Sequence, residues 1–103
     1  MTAAPSYFLT PQAQTDVEEI IDYLLTASVP LETTEQVFDR IYDTFELIAS
    51  QPGIGRKRPE WTSADVRFWA MTKDPYLIIY RERVPLEIVR VWNARRDPST
   101  IES

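Results

Sequence analysis

The residues best suited to chemistry are arginines placed beside aromatic rings. The stretch "RVWNARRDP", residues 90–98, ends the last apolar run with Arg90, Trp92, Arg95 and Arg96. A second basic run, Arg56–Lys57–Arg58, lies in the loop "PGIGRKRPEW", and Arg67 and Arg81 stand in apolar stretches further along. Guanidinium groups hold carboxylates or phosphates in a forked geometry, and Arg with Trp is a common pairing at binding hot spots. Acid–base chemistry has fewer routes. The chain has no Cys and no His, so a thiolate nucleophile, an imidazole base and the usual zinc ligands are all excluded. Proton transfer would fall to carboxylates, Lys or Tyr. Glu18, Glu19 and Asp22 read as a solvated helix face rather than a catalytic pair. "GIG" lacks the strand–helix context of a phosphate loop. No metal and no cofactor are expected.

Composition narrows the class. A chain of 103 residues, 44% of them hydrophobic, suits one domain over residues 1–103 with its own core. No apolar run approaches the roughly 20 residues that span a bilayer, and the N-terminus has no basic-then-apolar leader. Without cysteines the fold owes nothing to disulfides, which favours the cytoplasm. The net charge of −5 is unevenly spread: residues 1–55 hold nine acids and one base, and residues 56–103 hold ten bases and seven acids. A basic working face in the second half follows, without the overall basicity of a dedicated nucleic-acid binder.

The elements that position these side chains read as follows. "YFL", residues 7–9, is a short strand. "TPQAQTDVEEIIDYLLT" is a helix with Thr10 as N-cap and Pro11 in the first turn. Its apolar stripe is Ala13, Val17, Ile20, Ile21, Leu24 and Leu25. A second helix starts near Thr33 or Thr34 and carries Val37, Phe38, Ile41, Phe45, Ile48 and Ala49 on one face. Pro52 and Gly53 end it. Three strands follow, "DVRFWAM" (65–71), "YLIIYR" (76–81) and "LEIVRVW" (86–92), with gaps short enough for an antiparallel meander. The expected fold is α+β: an N-terminal strand, then an antiparallel helical hairpin packed on one face of an antiparallel sheet, in the order β-α-α-β-β-β.

Strict alternation divides the strand residues. It sets Val66, Phe68 and Ala70, with Val89 and Val91, against the helices. It turns Arg67, Trp69 and Met71, with Ile88, Arg90 and Trp92, to the other face. The middle strand contributes either Tyr76, Ile78 and Tyr80 or Leu77, Ile79 and Arg81 to that face. Two readings of the face remain: arginine stems covering tryptophans, or a docking surface. The loop Arg56–Arg58 is either solvated or an anion contact acting with Arg67, Arg81 and Arg95, if the fold brings these to one end of the sheet.

The chain resembles the RelE/ParE superfamily of toxins from bacterial toxin–antitoxin systems. The likeness runs from "YFLTPQAQTDVEEIIDYL" through "IASQPGIGRKRPEW", similar to the family's P-x-x-G-R-x-R-x-E loop, to "DVRFWAMTKDPYLIIYR" and "EIVRVWNARRDP". The loop and the "ARRD" ending are more like the ParE branch. That resemblance implies a gyrase-inhibiting toxin with no catalytic residues of its own, whose partner- or target-binding residues are Arg56, Lys57, Arg58, Arg67, Trp69, Arg90, Trp92, Arg95 and Arg96. It implies a cognate antitoxin, ParD-like or other, in a hetero-oligomer, with no sequence-specific nucleic-acid binding. The antitoxin's segment folds onto an edge strand and the groove beside the helical hairpin, and the basic sheet face favours an acidic tail. The alternative is a RelE-like ribosome-dependent endoribonuclease holding phosphate with Lys57, Arg58, Arg81 and Arg95. The tail "DPSTIES" then offers no Tyr, His or Lys for proton transfer, which leaves Tyr80 as a substitute or as packing. A third reading is a degenerate member that only binds its partner.

Overall fold

The computed structural model describes residues 6–97 and Thr100. Strand β1 (Tyr7–Leu9) leads into α1 (Pro11–Thr26) and α2 (Leu31–Ser50). A 3-10 turn, Pro52–Ile54, precedes β2 (Arg56–Lys57), β3 (Arg67–Ala70), β4 (Tyr76–Arg81) and β5 (Leu86–Asn93). The five strands form one sheet in the order β1-β5-β4-β3-β2. β3, β4 and β5 make the expected antiparallel meander. β1 joins it in parallel beside β5, so the sheet is mixed. A chain that passes from an edge strand into a helical hairpin and re-enters at the far side of the sheet has room for that parallel return.

Local chemistry accounts for the helix boundaries. Thr10 Oγ1 accepts from the Ala13 amide at 3.1 Å and donates to the Val89 carbonyl at 2.9 Å, so one hydroxyl caps α1 and docks it on β5. Ser28, at φ 62°, takes the left-handed conformation that ends α1. α2 begins at Leu31, directly after Pro30, rather than at Thr33 or Thr34. Proline disfavours helix for the residue before it, but its own fixed φ and missing N–H are tolerated at a helix start, so a helix can begin directly behind it.

The helices cover one face of the sheet. Ala13, Val17, Val37, Ile41, Phe45 and Ile48 pack there against Tyr76, Ile78, Tyr80, Leu86, Ile88 and Val91, with Trp69 and Met71 beside them. The opposite face holds a second cluster: Val66, Phe68, Leu77, Ile79 and Trp92, with Trp61, Ala64 and Val89. The alternation reading is therefore corrected in two strands. β3 is inverted, because Trp61 from the preceding loop crosses the second face and meets Phe68 edge-on at 5.2 Å. Val66 and Phe68 thus gain a cover of their own, and Trp69 turns to the helices. In β5 the pairing steps from Ile79↔Arg90 to Tyr80↔Ile88, which leaves Val89 as an extra residue. That bulge breaks strict alternation, so Ile88 and Val91 face the helices together. The helical stripes are also wider than the sheet can cover: Leu25 and Phe38 remain exposed.

β1 ends at Leu9, so the outer edge of β5 beyond Ile88 has no strand partner, and α1 takes its place. Asp16 accepts from the Val91 amide at 2.9 Å and from Arg90 Nε and Nη2 at 2.8 and 3.0 Å. The forked contact raises the Arg90 pKa, chiefly through the hydrogen bond to Asp16. From the second helix, Arg40 of α2 grips Asp74 in the β3–β4 turn, also through two hydrogen bonds, at 2.7 and 2.9 Å. Removing one partner of a mostly buried pair strands the other. Asp16→Ala is expected to lower unfolding stability by about 2–3 kcal/mol. The exposed Asp39→Ala should change it by about 0.5 kcal/mol or less. Urea denaturation of both variants checks this.

Candidate functional site

The structure separates the basic residues into two ends of the sheet and one face. At the end where β3 begins and β4 finishes, Lys57, Arg67, Arg81 and Arg83 line a polar cavity of about 250 Å³ with Asp65 and Glu82. Each of these cations has an acidic partner. Lys57 meets Asp65 at 2.9 Å, Arg67 meets Glu82 at 3.1 Å, and Arg81 and Arg83 share Glu87, each at 3.4 Å. The Lys57 ammonium holds the Asp65 carboxyl below its ordinary pKa. A concave patch of four cations is thus largely answered by the chain's own carboxylates.

The Pro52–Arg58 loop has a structural reason for its glycine. Tyr80 is fully buried, and its hydroxyl donates to the Pro52 carbonyl at 2.6 Å while accepting from the Gly55 amide at 2.8 Å. A Cβ on Gly55 would clash with that hydroxyl and with the phenol ring. Arg67 Nη1 adds a bond to the Gly55 carbonyl at 2.9 Å. The Tyr80 phenol is therefore a strut that fixes the loop's entry into β2. Its packing reading is the one the structure supports.

On the second face the arginines lie over indoles. Arg58 sits 4.8 Å from the Trp61 ring. Arg90 and Arg96 lie 5.2 and 4.2 Å from the Trp92 ring, and Trp92 is only 3% exposed. Arginine side chains cover these rings, the first of the two readings of that face. Of the two tryptophans expected on an open face, Trp69 packs toward the helices and Trp92 lies under its arginines.

Arg95 and Arg96 occupy the opposite end of the sheet from Arg81, past the C-terminus of β5. The Ala94 amide donates to the Pro75 carbonyl at 2.8 Å, which ties this segment to the β3–β4 turn. The quartet Lys57, Arg58, Arg81 and Arg95 therefore does not assemble. Lys57 and Arg81 meet, Arg58 turns to Trp61, and Arg95 lies beyond the far end of β4. At about 3.3 Å per residue, β4 alone separates those ends by about 17 Å. Arg56 is exposed on the short edge strand β2. Of the tail after Arg96, Asp97 and Thr100 are among the described residues and the rest lies outside them.

Two concave features complete the surface, the first expected only as a groove beside the helical hairpin with no residues assigned and the second not expected at all. The first is an apolar groove along the helical hairpin. One part, about 570 Å³, runs between β1 and the helices and is lined by Phe8, Val17, Ile21, Phe38 and Tyr42, with Glu18 and Asp22 at its rim. A neighbouring part of about 330 Å³ is lined by Ile21, Leu25, Leu31, Thr34 and Phe38, with Glu35 and Asp39. Thr34 Oγ1 is buried there with no hydrogen-bond partner among the described residues. The surplus breadth of the apolar stripes was the available signal. The second is a cleft of about 410 Å³ between α1 and the end of β5, lined by Ile20, Tyr23, Leu24, Asn93, Arg95 and Arg96 among others.

Comparison with known proteins places this architecture. A chain described as the chromosomal ParDE TA system from P. aeruginosa shares the fold, with a TM-score of 0.70 and 18% sequence identity. The match covers 84% of this chain and 92% of that one. No curated protein matches the sequence. The family model described as ParE toxin of type II toxin-antitoxin system, parDE, matches residues 7–98, and the chain belongs to that family. Among the described residues no helix is long and apolar enough to cross a membrane.

The Tyr80–Gly55 contact generates two expectations. Gly55→Ala should cost about 1–3 kcal/mol of stability by overpacking the phenol. Tyr80→Phe should cost about 1–2 kcal/mol through the unpaired Pro52 carbonyl and Gly55 amide, and the two losses should be less than additive. Burial raises the Tyr80 pKa above its ordinary value of about 10. The stability it confers is therefore complete below about pH 10 and declines as pH rises past that value. In Tyr80→Phe that alkaline decline should be smaller, as read from thermal melts between about pH 9 and 11.

Proposed function

We propose that this protein is a cytoplasmic ParE-type toxin that binds and inhibits DNA gyrase and is neutralised by a cognate antitoxin in a hetero-oligomeric complex. The family match over residues 7–98 carries the reading. The arrangement of charge supports a binding role over an mRNA-cleaving one. Arg95 stands apart from Lys57 and Arg81, those two are engaged by Asp65 and Glu87, and the Tyr80 hydroxyl is occupied by Pro52 and Gly55. The reading requires no hydrolytic step from the toxin.

Within it, the basic residues have unequal roles. Arg90, Trp92, Arg67 and Trp69 hold the sheet, loop and helices in place. Arg56 and Arg95 are exposed, Arg96 lies exposed over Trp92, and these three are the contacts for the target. The antitoxin takes the groove between β1, α1 and α2. Its disordered segment buries apolar side chains on Phe8, Leu25, Leu31 and Phe38, and folding on contact allows a long segment to cover so shallow a surface. The acidic rim of Glu18, Asp22, Glu35 and Asp39 favours Lys or Arg at the flanks of that segment.

The purified toxin should reduce gyrase supercoiling of relaxed plasmid and leave mRNA ends unchanged on translating ribosomes. Arg95→Ala combined with Arg96→Ala should weaken inhibition about tenfold or more, with circular dichroism unchanged. Ribosome-dependent mRNA cleavage with normal supercoiling would overturn the reading.

A further inference from the structure

Ion pairing sorts the cations of this chain. Of its eleven Lys and Arg residues, Arg40, Lys57, Arg58, Arg67, Arg81, Arg83 and Arg90 each meet a carboxylate. Arg56, Lys73, Arg95 and Arg96 form no ion pair with a described residue. Three of these four lie at one end of the molecule. Lys73 sits in the β3–β4 turn, whose Pro75 carbonyl accepts from Ala94, and Arg95 and Arg96 follow directly. Beside them is the 410 Å³ cleft, with an apolar floor of Ile20, Leu24, Val37 and Val91. Tyr23 stands at its wall, 70% exposed. Of the three carboxylates that line the cleft, Asp16 is used by Arg90 and Val91 and Asp74 by Arg40, which leaves Glu19 of α1 as the one acid facing the two arginines.

We propose that this cleft is the docking site for an acidic peptide segment of the toxin's protein target, with Lys73, Arg95 and Arg96 meeting its carboxylates and Tyr23 flanking an apolar side chain on the cleft floor. The identity of the partner rests on the reading of a toxin that acts on a protein; the site itself stands on the geometry. A protein segment fits better than nucleic acid. Nine acidic residues in the first half of the chain surround the helices that form one wall, and a long polyphosphate would meet that field, whereas a short acidic segment meets only the cationic end. The antitoxin groove is a different surface. It uses Glu18, Ile21, Asp22 and Leu25 of α1, whereas the cleft uses Asp16, Glu19, Ile20, Tyr23 and Leu24. The groove's rim carries Glu18, Asp22, Glu35 and Asp39 and no cation among the described residues, whereas the cleft carries Arg95 and Arg96, with Lys73 in the adjoining turn, against Glu19 once Asp16 and Asp74 are paired, so a segment matched to one is mismatched to the other.

The test is an NMR titration of the 15N-labelled full chain with a blocked Glu-Glu-Tyr-Glu peptide. Saturable shifts are expected at Tyr23, Lys73, Asn93, Arg95 and Arg96. Affinity should fall about tenfold in Arg95→Ala/Arg96→Ala and in the exposed turn variant Lys73→Glu, remain unchanged in Arg83→Ala, and weaken with salt. Three results would each overturn the site: shifts centred on Lys57, Arg67 and Arg81, equal binding of a Lys-Lys-Tyr-Lys peptide, or displacement of the acidic peptide by a short single-stranded DNA at equal concentration. No gyrase is present in this titration. Peptide binding with normal supercoiling would therefore leave the site standing and remove the target, and the converse would remove the site alone.

Discussion

The carboxylate of Asp16 is the joint on which the working end of the molecule is built. β1 is too short to flank β5 along its whole length, and an unpaired strand edge exposes amide groups that must find partners. Asp16 supplies one for Val91 and, with the same two oxygens, fixes the guanidinium of Arg90. Arg90 then lies over Trp92, and Trp92 donates weakly to the Arg96 carbonyl at 3.4 Å. A single side chain on α1 thereby sets the course of the chain from the bulge at Val89 to the turn at Asn93, from which Arg95 and Arg96 emerge.

The partition of charge along the sequence has a spatial meaning. The acidic half forms the helices and the basic half forms most of the sheet, and two forked ion pairs, Arg40–Asp74 and Asp16–Arg90, bind the layers together. Most of the remaining cations are answered within the sheet half itself. Among the described residues four cations are left unanswered, and three of them, Lys73, Arg95 and Arg96, lie at one end. That economy explains how a chain of net charge −5 can still present a cationic contact.

Much of this was readable beforehand. Thr10 as N-cap, the two amphipathic helices and the three-strand meander followed from spacing and turn residues, because those signals are local. The glycine of the loop was visible as part of a motif, but its reason, the Tyr80 hydroxyl, comes from a residue 25 positions away. The face of β3 was misassigned because nothing local shows that Trp61 crosses the sheet. The face of β5 failed at a bulge, which adds one residue without any mark in the pattern. Among the basic residues, type and number were legible and pairing was not. Arg90 and Arg95 look alike in sequence, yet one is spent on Asp16 and the other meets no carboxylate among the described residues.

Native-state hydrogen exchange at the Val91 amide tests the Asp16 joint most directly. The account predicts protection approaching that of the central strand amides of Ile78 and Ile79, since Val91 opens only when α1 leaves the sheet. Exchange at the rate of an exposed edge amide, with β4 still protected, would show that α1 does not clasp β5 and that the course of the C-terminal arginines is set by something else.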